Sequence, residues 1–363
     1  MHDEIYMLWL SSMVQNLGSR KLNALLEFFG TAKKIFTAQN DELEQAVSLT
    51  PYAKQLIASN RSLVYIEGLL ETMETKNVAY FSRMHERFPA HLKEITDPPV
   101  GIFCMGALPP DDISKVAIIG SRKCSEYGRM TARMLAKPLA EAGIVIVSGM
   151  ARGVDSMAHR GTLEGGGKTI AVLGCGIDIC YPAENRGLRD EITENGCVVS
   201  EYPPSVKPNP GFFPARNRII SGLSLGVIVT EAAKKSGTLI TVDQAAEQGR
   251  EVMAVPGNIT SKLSEGTNHL VREGAYPVFD HTDVMSCLRL VSREKNVEAV
   301  NKNMCLAQDE KQVYDVLSFE AVSYDTLSDK TGIEHGLLYL ILTGLEVKGL
   351  ANKLPGSRYV KNH

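Results

Sequence analysis

The sequence contains no CxxC pair, no GxxxxGKS/T loop, no HExxH segment and no apolar run long enough to span a membrane. Each absence removes a class of function. Seven cysteines, an odd number, are scattered from Cys104 to Cys305, so neither a disulfide framework nor a cysteine zinc site is expected. The thiols read as reduced, which suits the cytoplasm. The missing GxxxxGKS/T disfavours a Walker-type ATPase. "GCGIDI" begins like a dinucleotide fingerprint but has Ile179 where the third glycine belongs, so a dehydrogenase fits poorly. Without HExxH, no recognisable metal-ligand spacing remains. The start "MHDEIYMLWL" has no basic segment ahead of an apolar one, so a soluble, cytoplasmic protein that needs no membrane is expected. Charge of one sign is lacking too. Net charge is −3, so any site for a polyanion must be a local patch.

What is present falls into segments of different character, more than one domain for a chain of 363 residues. Residues 1–75 read as a helical domain, with apolar residues at three-to-four spacing in "EIYMLWLSSMV", "SRKLNALLEFFG" and "DELEQAVSLTPYAKQLIAS". Gly18 and Ser19 supply a turn and an N-cap between the first two. Two outlines fit: a helix-hairpin-helix (or SAM-like) unit, which holds DNA backbone through glycine amides, and a plain helical bundle. Residues 76–290 carry short Val/Ile-rich runs, "KVAIIGS", "GIVIVSG", "KTIAVLGCG", "CVVSEY", "LGVIVTEA" and "EVMAVPG", separated by segments of helical length. That alternation is the signature of an α/β, doubly wound parallel sheet covered on both faces. "PVGIFCMG" adds an earlier strand, and Pro138 is expected to kink the first long helix of the core. Residues 291–305 read as a linker. Residues 306–363 suggest three helices and a hairpin, a winged-helix-like outline that serves DNA or protein binding. The helix "HGLLYLILTGLEVKG" has few cations for reading DNA.

Three strand-to-helix loops share one chemistry. Gly120, Ser121 and Arg122 follow one strand; Gly149, Arg152 and Gly153 follow another; Lys235, Ser236, Gly237 and Thr238 follow a third. Backbone amides at a helix start, beside a cation, make an anion site. Three such loops on one sheet edge form a phosphate-binding rim. "FFPARNRIISGLS" adds an aromatic and cationic cluster, with Pro214 in a first helical turn and Ile219, Ile220 and Leu223 facing the core. Arg216 and Arg218 are two apart on a helix and so point to different sides. One is expected on the ligand while the other braces the loop or takes the next phosphate. One of Phe212 and Phe213 is expected to stack on a base and the other to pack into the core. Asp155, Glu201 and Glu231 are the carboxylates placed near this rim, to orient arginines or act as bases. His159, one turn after Asp155, is expected to be buried and bonded to it.

Taken in order, "AIIGSRKCSEYG", "SGMARGVDSMAH", "AVLGCGIDICYPAEN", "SEYPP", "FFPARNRIISGLS", "EAAKKSGTLIT" and "AVPG" followed by "SEGTNHLVREGA" resemble the bacterial DprA/Smf family, the DNA-processing protein A family. The resemblance covers about residues 85–280; the flanking modules resemble that family's more weakly. It implies an extended Rossmann-like core that binds single-stranded DNA in a positive pocket. It also implies recombination-mediator activity, with RecA loaded onto incoming strands during natural transformation, self-association as a homodimer, and no cofactor or catalytic residue. Carried over, Ser121 and Arg122 become phosphate contacts, with Gly149, Arg152 and Lys235 on the same rim. Arg216, Asn217 and Arg218 line the pocket, Phe213 stacks on a base, and Ser236, Gly237 and Thr238 form a second phosphate nest. Some members carry a lysine just before the aromatic segment. Here the nearest is Lys207, across "KPNPG", which leaves its role open. A second resemblance, to phosphoribohydrolases of the lysine-decarboxylase-like type, fails at their PGGxGTxxE pattern. "KSGTLITVDQ" places Leu239, Ile240 and Thr241 after the Gly–Thr, and the next carboxylate, Asp243, comes too late. A protein-interaction scaffold with a vestigial pocket is a third reading.

Overall fold

Val- and Ile-rich runs of four or five residues become strands when both faces of the sheet are covered, and this is what the chain does. The computed structural model describes residues 2–46, 50–290, 308–318, 321–348 and 350–361. The expected linker at 291–305 lies outside them. The chain divides into two units, residues 1–295 and 296–363.

The first unit is built on nine strands: β1 (Ala79–Ser82), β2 (Gly101–Gly106), β3 (Lys115–Ile119), β4 (Val145–Ser148), β5 (Thr169–Leu173), β6 (Cys197–Ser200), β7 (Gly226–Val229), β8 (Glu251–Ala254) and β9 (Tyr276–Pro277). Their order across the sheet is β1-β2-β6-β5-β4-β3-β7-β8-β9. From β6 to β9 every pairing is parallel. The β1 and β2 edge is antiparallel, so the expected parallel sheet is in fact mixed at one side. β2 is the strand expected from "PVGIFCMG". From β3 the chain winds one way through β4, β5 and β6, then returns to the other side of β3 with β7. The topological switch therefore lies between β3 and β7, where a crevice opens at the carboxyl edge.

Alternate residues of each central strand feed opposite faces. Val116, Ile118, Ile146 and Ile228 pack with Ala132, Leu135 and Leu139 of the helix Glu126–Glu141. Ala117, Ile119, Val147 and Val229 pack on the other side with Ile219, Ile220 and Leu223 at the end of the helix Phe212–Gly222. Each fully buried side chain of this size stabilises the fold by roughly 1.5–3 kcal/mol before entropy is counted. Pro138 lies inside the last turn of Glu126–Glu141, and the helix runs on through it.

The first 75 residues form short helices, among them His2–Ser12, Ser19–Phe29 and Leu63–Thr75. Trp9, Leu22, Leu25 and Ile66 share one apolar cluster with Phe103, Val198 and Tyr202 of the sheet side. Ser19 is not the expected cap. It is the first residue of its helix, and its hydroxyl donates to Asp97 Oδ2 at 2.6 Å. Gly18 stands at the cap position without a side chain to offer.

The second unit has helices Gln308–Val316, Tyr324–Thr331 and His335–Val347, with strands β10 (Val322–Ser323), β11 (Ala351–Leu354) and β12 (Arg358–Lys361) in the order β10-β12-β11. Val313, Leu327, Leu338, Leu342 and Tyr359 fill its core. Helix, strand, two helices and a two-stranded wing make the winged-helix arrangement. Among the described residues, no helix is long and apolar enough to cross a membrane.

Candidate nucleic-acid interface

The crevice at the switch point is a cleft of about 680 Å³. Its walls are the loops after β3 and β7 and the first turns of the helix Phe212–Gly222. Each loop is held by its neighbours. Ser121 N–H donates to the Glu231 carbonyl at 2.8 Å, and the buried Glu231 carboxylate accepts from Ser125 N–H at 2.8 Å and Ser125 Oγ at 2.5 Å. Ser125 in turn caps Glu126–Glu141 by accepting from Gly128 N–H at 3.2 Å. The loop is thus braced from below, and Arg122 and Lys123 are exposed on it. Glu231 is a brace and does not line the cleft.

Two glycines let the β4 loop close in. Gly153 has φ +77°, and a Cβ there would lie 2.5 Å from the Ser121 carbonyl oxygen. A side chain would therefore be both strained and overlapping. At Gly149 a Cβ would meet Arg216 Nη2 and Asp155 Oδ2, each at 2.7 Å. Arg216 lies beneath this turn, only 4% exposed. Its Nη1 donates to the Gly149 carbonyl at 2.6 Å and to the Val172 carbonyl, and its Nε donates to Asn217 Oδ1 at 3.2 Å. Burial pushes the guanidinium down to about 10, with Asp155 opposing the shift, so it is still charged at neutral pH. Burial likewise pushes the Asp155 carboxyl up, with Arg216 opposing. The floor of the cleft therefore holds two buried charged groups of opposite sign, Arg216 bonded to backbone carbonyls and Asp155 accepting from Ala151 N–H at 3.3 Å.

Phe212 and Phe213 face different neighbours. Phe212 stacks on Tyr202 with centroids 4.3 Å apart and planes at 25°. Phe213 faces the cleft, with the Arg122 guanidinium 5.1 Å from its centroid and the Tyr181 ring 5.5 Å away at 32°. On the opposite wall, Ser236 Oγ accepts from Thr238 N–H at 3.2 Å and caps the helix Gly237–Glu247. Lys235, Ser236, Gly237 and Thr238 all line the cleft.

Of the expected site residues, Ser121, Arg122, Phe213, Arg216, Asn217 and the Lys235–Thr238 group are brought together there. Gly149 and Arg152 border an adjoining hollow of about 150 Å³, which shares Arg122, Tyr181, Phe213 and Arg216 with the cleft. Arg218 is not in either. Its Nη2 donates to Glu201 Oε1 at 2.7 Å and its Nε to Asp97 Oδ2 at 3.4 Å, and it is 6% exposed. The 200° between positions two apart sends it to the far side of the helix. Glu201, expected near the rim, is its partner there. His159 is buried but does not bond Asp155. Its Nδ1 meets Thr169 Oγ1 at 2.7 Å, and burial pushes the ring down to about 3, so it is neutral. Lys207 and Asp243 do not line the cleft. The sequence reading missed Tyr181 and Lys123. An aromatic before Pro182 in the loop after β5, and a second cation beside Arg122, were the available signals.

The comparisons agree with this architecture. Residues 79–289 match the family model DNA recombination-mediator protein A, and residues 301–357 match the DprA winged helix domain. The chain is 47% identical over 206 residues to the DNA processing protein DprA of Streptococcus pneumoniae, covering 57% of this chain and 73% of that one. It is 41% identical over 214 residues to that of Bacillus subtilis, covering 59% and 71%. The X-ray structure of the S. pneumoniae protein superposes with a TM-score of 0.67 at 37% identity, over 79% of this chain and 97% of that one. A structure of DNA processing protein A from Helicobacter pylori, described for its single-stranded DNA binding mode, gives a TM-score of 0.52 at 33% identity, over 58% and 95%. With the sheet, the winged helix and more than half the sequence in agreement, the chain belongs to the DNA recombination-mediator protein A family.

Proposed function

We propose that the switch-point cleft binds single-stranded DNA, and that the protein acts as a recombination mediator that hands the strand to a RecA recombinase. The observation that carries the binding reading is the meeting of Arg122, Phe213 and Tyr181 at the mouth of a cleft whose other wall is a capped helix N-terminus. The cations and backbone amides suit phosphates, while the two rings suit bases that have left a stack. A duplex keeps its bases inside and offers nothing to the rings. The name given to the H. pylori relative, for its single-stranded DNA binding mode, supports the reading. The RecA partner and the homodimer come from the family resemblance, and the cytoplasmic setting from the scattered cysteines and the lack of a targeting segment.

The test is fluorescence anisotropy of a labelled oligo-dT against a duplex of the same length, over a salt series. Wild type should prefer the single strand with a steep salt dependence. Arg122→Ala should weaken binding and flatten the log K against log salt slope by about 0.7, the share of one phosphate on a single strand. Tyr181→Ala should cost about 1–3 kcal/mol and leave the slope unchanged, because a stacking ring releases no counterions. Binding that ignores both substitutions rejects the cleft as the site. The phosphoribohydrolase reading lacks its glutamate after the Gly–Thr, and Asp243, the carboxylate that follows, lies off the cleft.

A further inference from the structure

Among the cations at the cleft mouth, Arg152 stands apart. Arg122, Lys123 and Lys235 make no ion pair among the described residues, whereas the exposed Arg152 is gripped at two points by Glu184. Its Nε donates to Glu184 Oε1 and its Nη2 to Glu184 Oε2 at 3.1 Å. The carboxylate is held in place. Glu184 sits in the short turn Ala183–Asn185, and the buried Asn185 Nδ2 donates to the Met150 carbonyl and to Ser156 Oγ, each at 2.9 Å. The turn is thereby tied to the loop that carries Arg152. The pair stands beside the smaller hollow that Arg152 shares with Arg122, Tyr181 and Phe213. A guanidinium fork fits a carboxylate and a phosphodiester alike. An exposed pair is weak and screened by salt, so it can be exchanged.

We propose that Glu184 is a built-in stand-in for a nucleic-acid phosphate. Its carboxylate occupies Arg152 in the free protein. A single strand running past Phe213 and Tyr181 into the smaller hollow displaces it with a backbone phosphate, at a further phosphate subsite. The inference rests on the single-strand reading of the cleft. It makes Arg152 nearly silent in net affinity, because gaining the phosphate means giving up the carboxylate. It makes Glu184 a limit on how tightly the strand is held, and removing the acid should raise affinity.

A two-by-two cycle tests this on the full chain, with labelled oligo-dT at low salt: wild type, Glu184→Gln, Arg152→Ala and both together. Glu184→Gln should bind about two- to fivefold tighter, the range an exposed ion pair can withhold. Arg152→Ala should stay within about twofold of wild type, and adding Glu184→Gln to it should give no gain. A Glu184→Gln protein that binds no tighter than wild type overturns the proposal. So does a gain that survives in the Arg152→Ala background, which would be a general charge effect. A wild type with no affinity for oligo-dT would instead bring down the single-strand reading, and this proposal with it. A gain is also a result that misfolding cannot produce.

Discussion

Arg216 and Arg218 show how two identical side chains on one helix take opposite parts. Arg216 is turned under Gly149 toward the cleft, and Arg218 is turned away onto Glu201 and Asp97. Removing one member of a buried charge pair strands the other in a medium that cannot solvate it. Arg218→Ala should therefore lower unfolding free energy by about 3–5 kcal/mol, read from urea midpoints. The fraction that remains folded should bind oligo-dT with the wild-type salt slope, since no phosphate contact is lost. A stable Arg218→Ala protein with a flattened slope would return Arg218 to the cleft. The divergence of the two arginines was legible in the sequence, because it follows from helical pitch alone. Which one faces the cleft was not, because that depends on acids 17 and 121 positions away in the chain. Tyr181 offered one signal, an aromatic before Pro182, but its place beside Phe213 is set by the path of the loop after β5, which has no periodicity to read.

At the scale of elements, the strands declared themselves because the sheet is covered on both faces, and a doubly covered strand must be apolar along its length. β1 and β9 did not, since half of β1's four residues and neither residue of β9 is buried, and each only hems an edge. The helix Gly237–Glu247 matters to the cleft through its first turn. Its Ser236 hydroxyl fixes the orientation of the amides that line the wall. Ser236→Ala should cost that helix about 1 kcal/mol. Hydrogen exchange should show it as faster exchange at Thr238, with the end of the same helix unchanged. Uniform protection in the variant would mean that the cap is not what orders the turn. In the winged-helix unit, the helix His335–Val347 contains no lysine or arginine and exposes Leu337, Tyr339 and Leu340. A helix reading DNA needs cations or hydrogen-bonding side chains on its outward face. Here the outward face is largely apolar, as the sequence already indicated.

At the scale of the molecule, the helical head and the sheet are one packed body. The chain has a single tryptophan, Trp9; it is fully buried, and its Nε1 donates to the Asn60 carbonyl at 2.8 Å. Trp9 belongs to the cluster that continues into Phe103, Val198 and Tyr202. Its fluorescence should therefore follow the loss of oligo-dT binding at a common urea midpoint, as a cooperative unit requires. A tryptophan transition that comes first, with binding retained, would show a head that unfolds by itself. The sequence marked where helices give way to strands, near residue 75. It could not show that both sides of that change would share a core, because the contacts that join them are distant in sequence.

Asp97 joins these scales. It accepts from Ser19 Oγ at 2.6 Å and from Asn23 Nδ2 at 2.8 Å, both on the head, and from Arg218 on the helix that presents Phe213 and Arg216. The head is thus fastened to the back of the helix whose front makes the cleft. In genetic terms, this blurs the map. If the cleft is the strand's site, a search for alleles that weaken DNA handling would return Ser19, Asn23 and Asp97 beside Arg122 and Phe213, although none of the three lines the cleft.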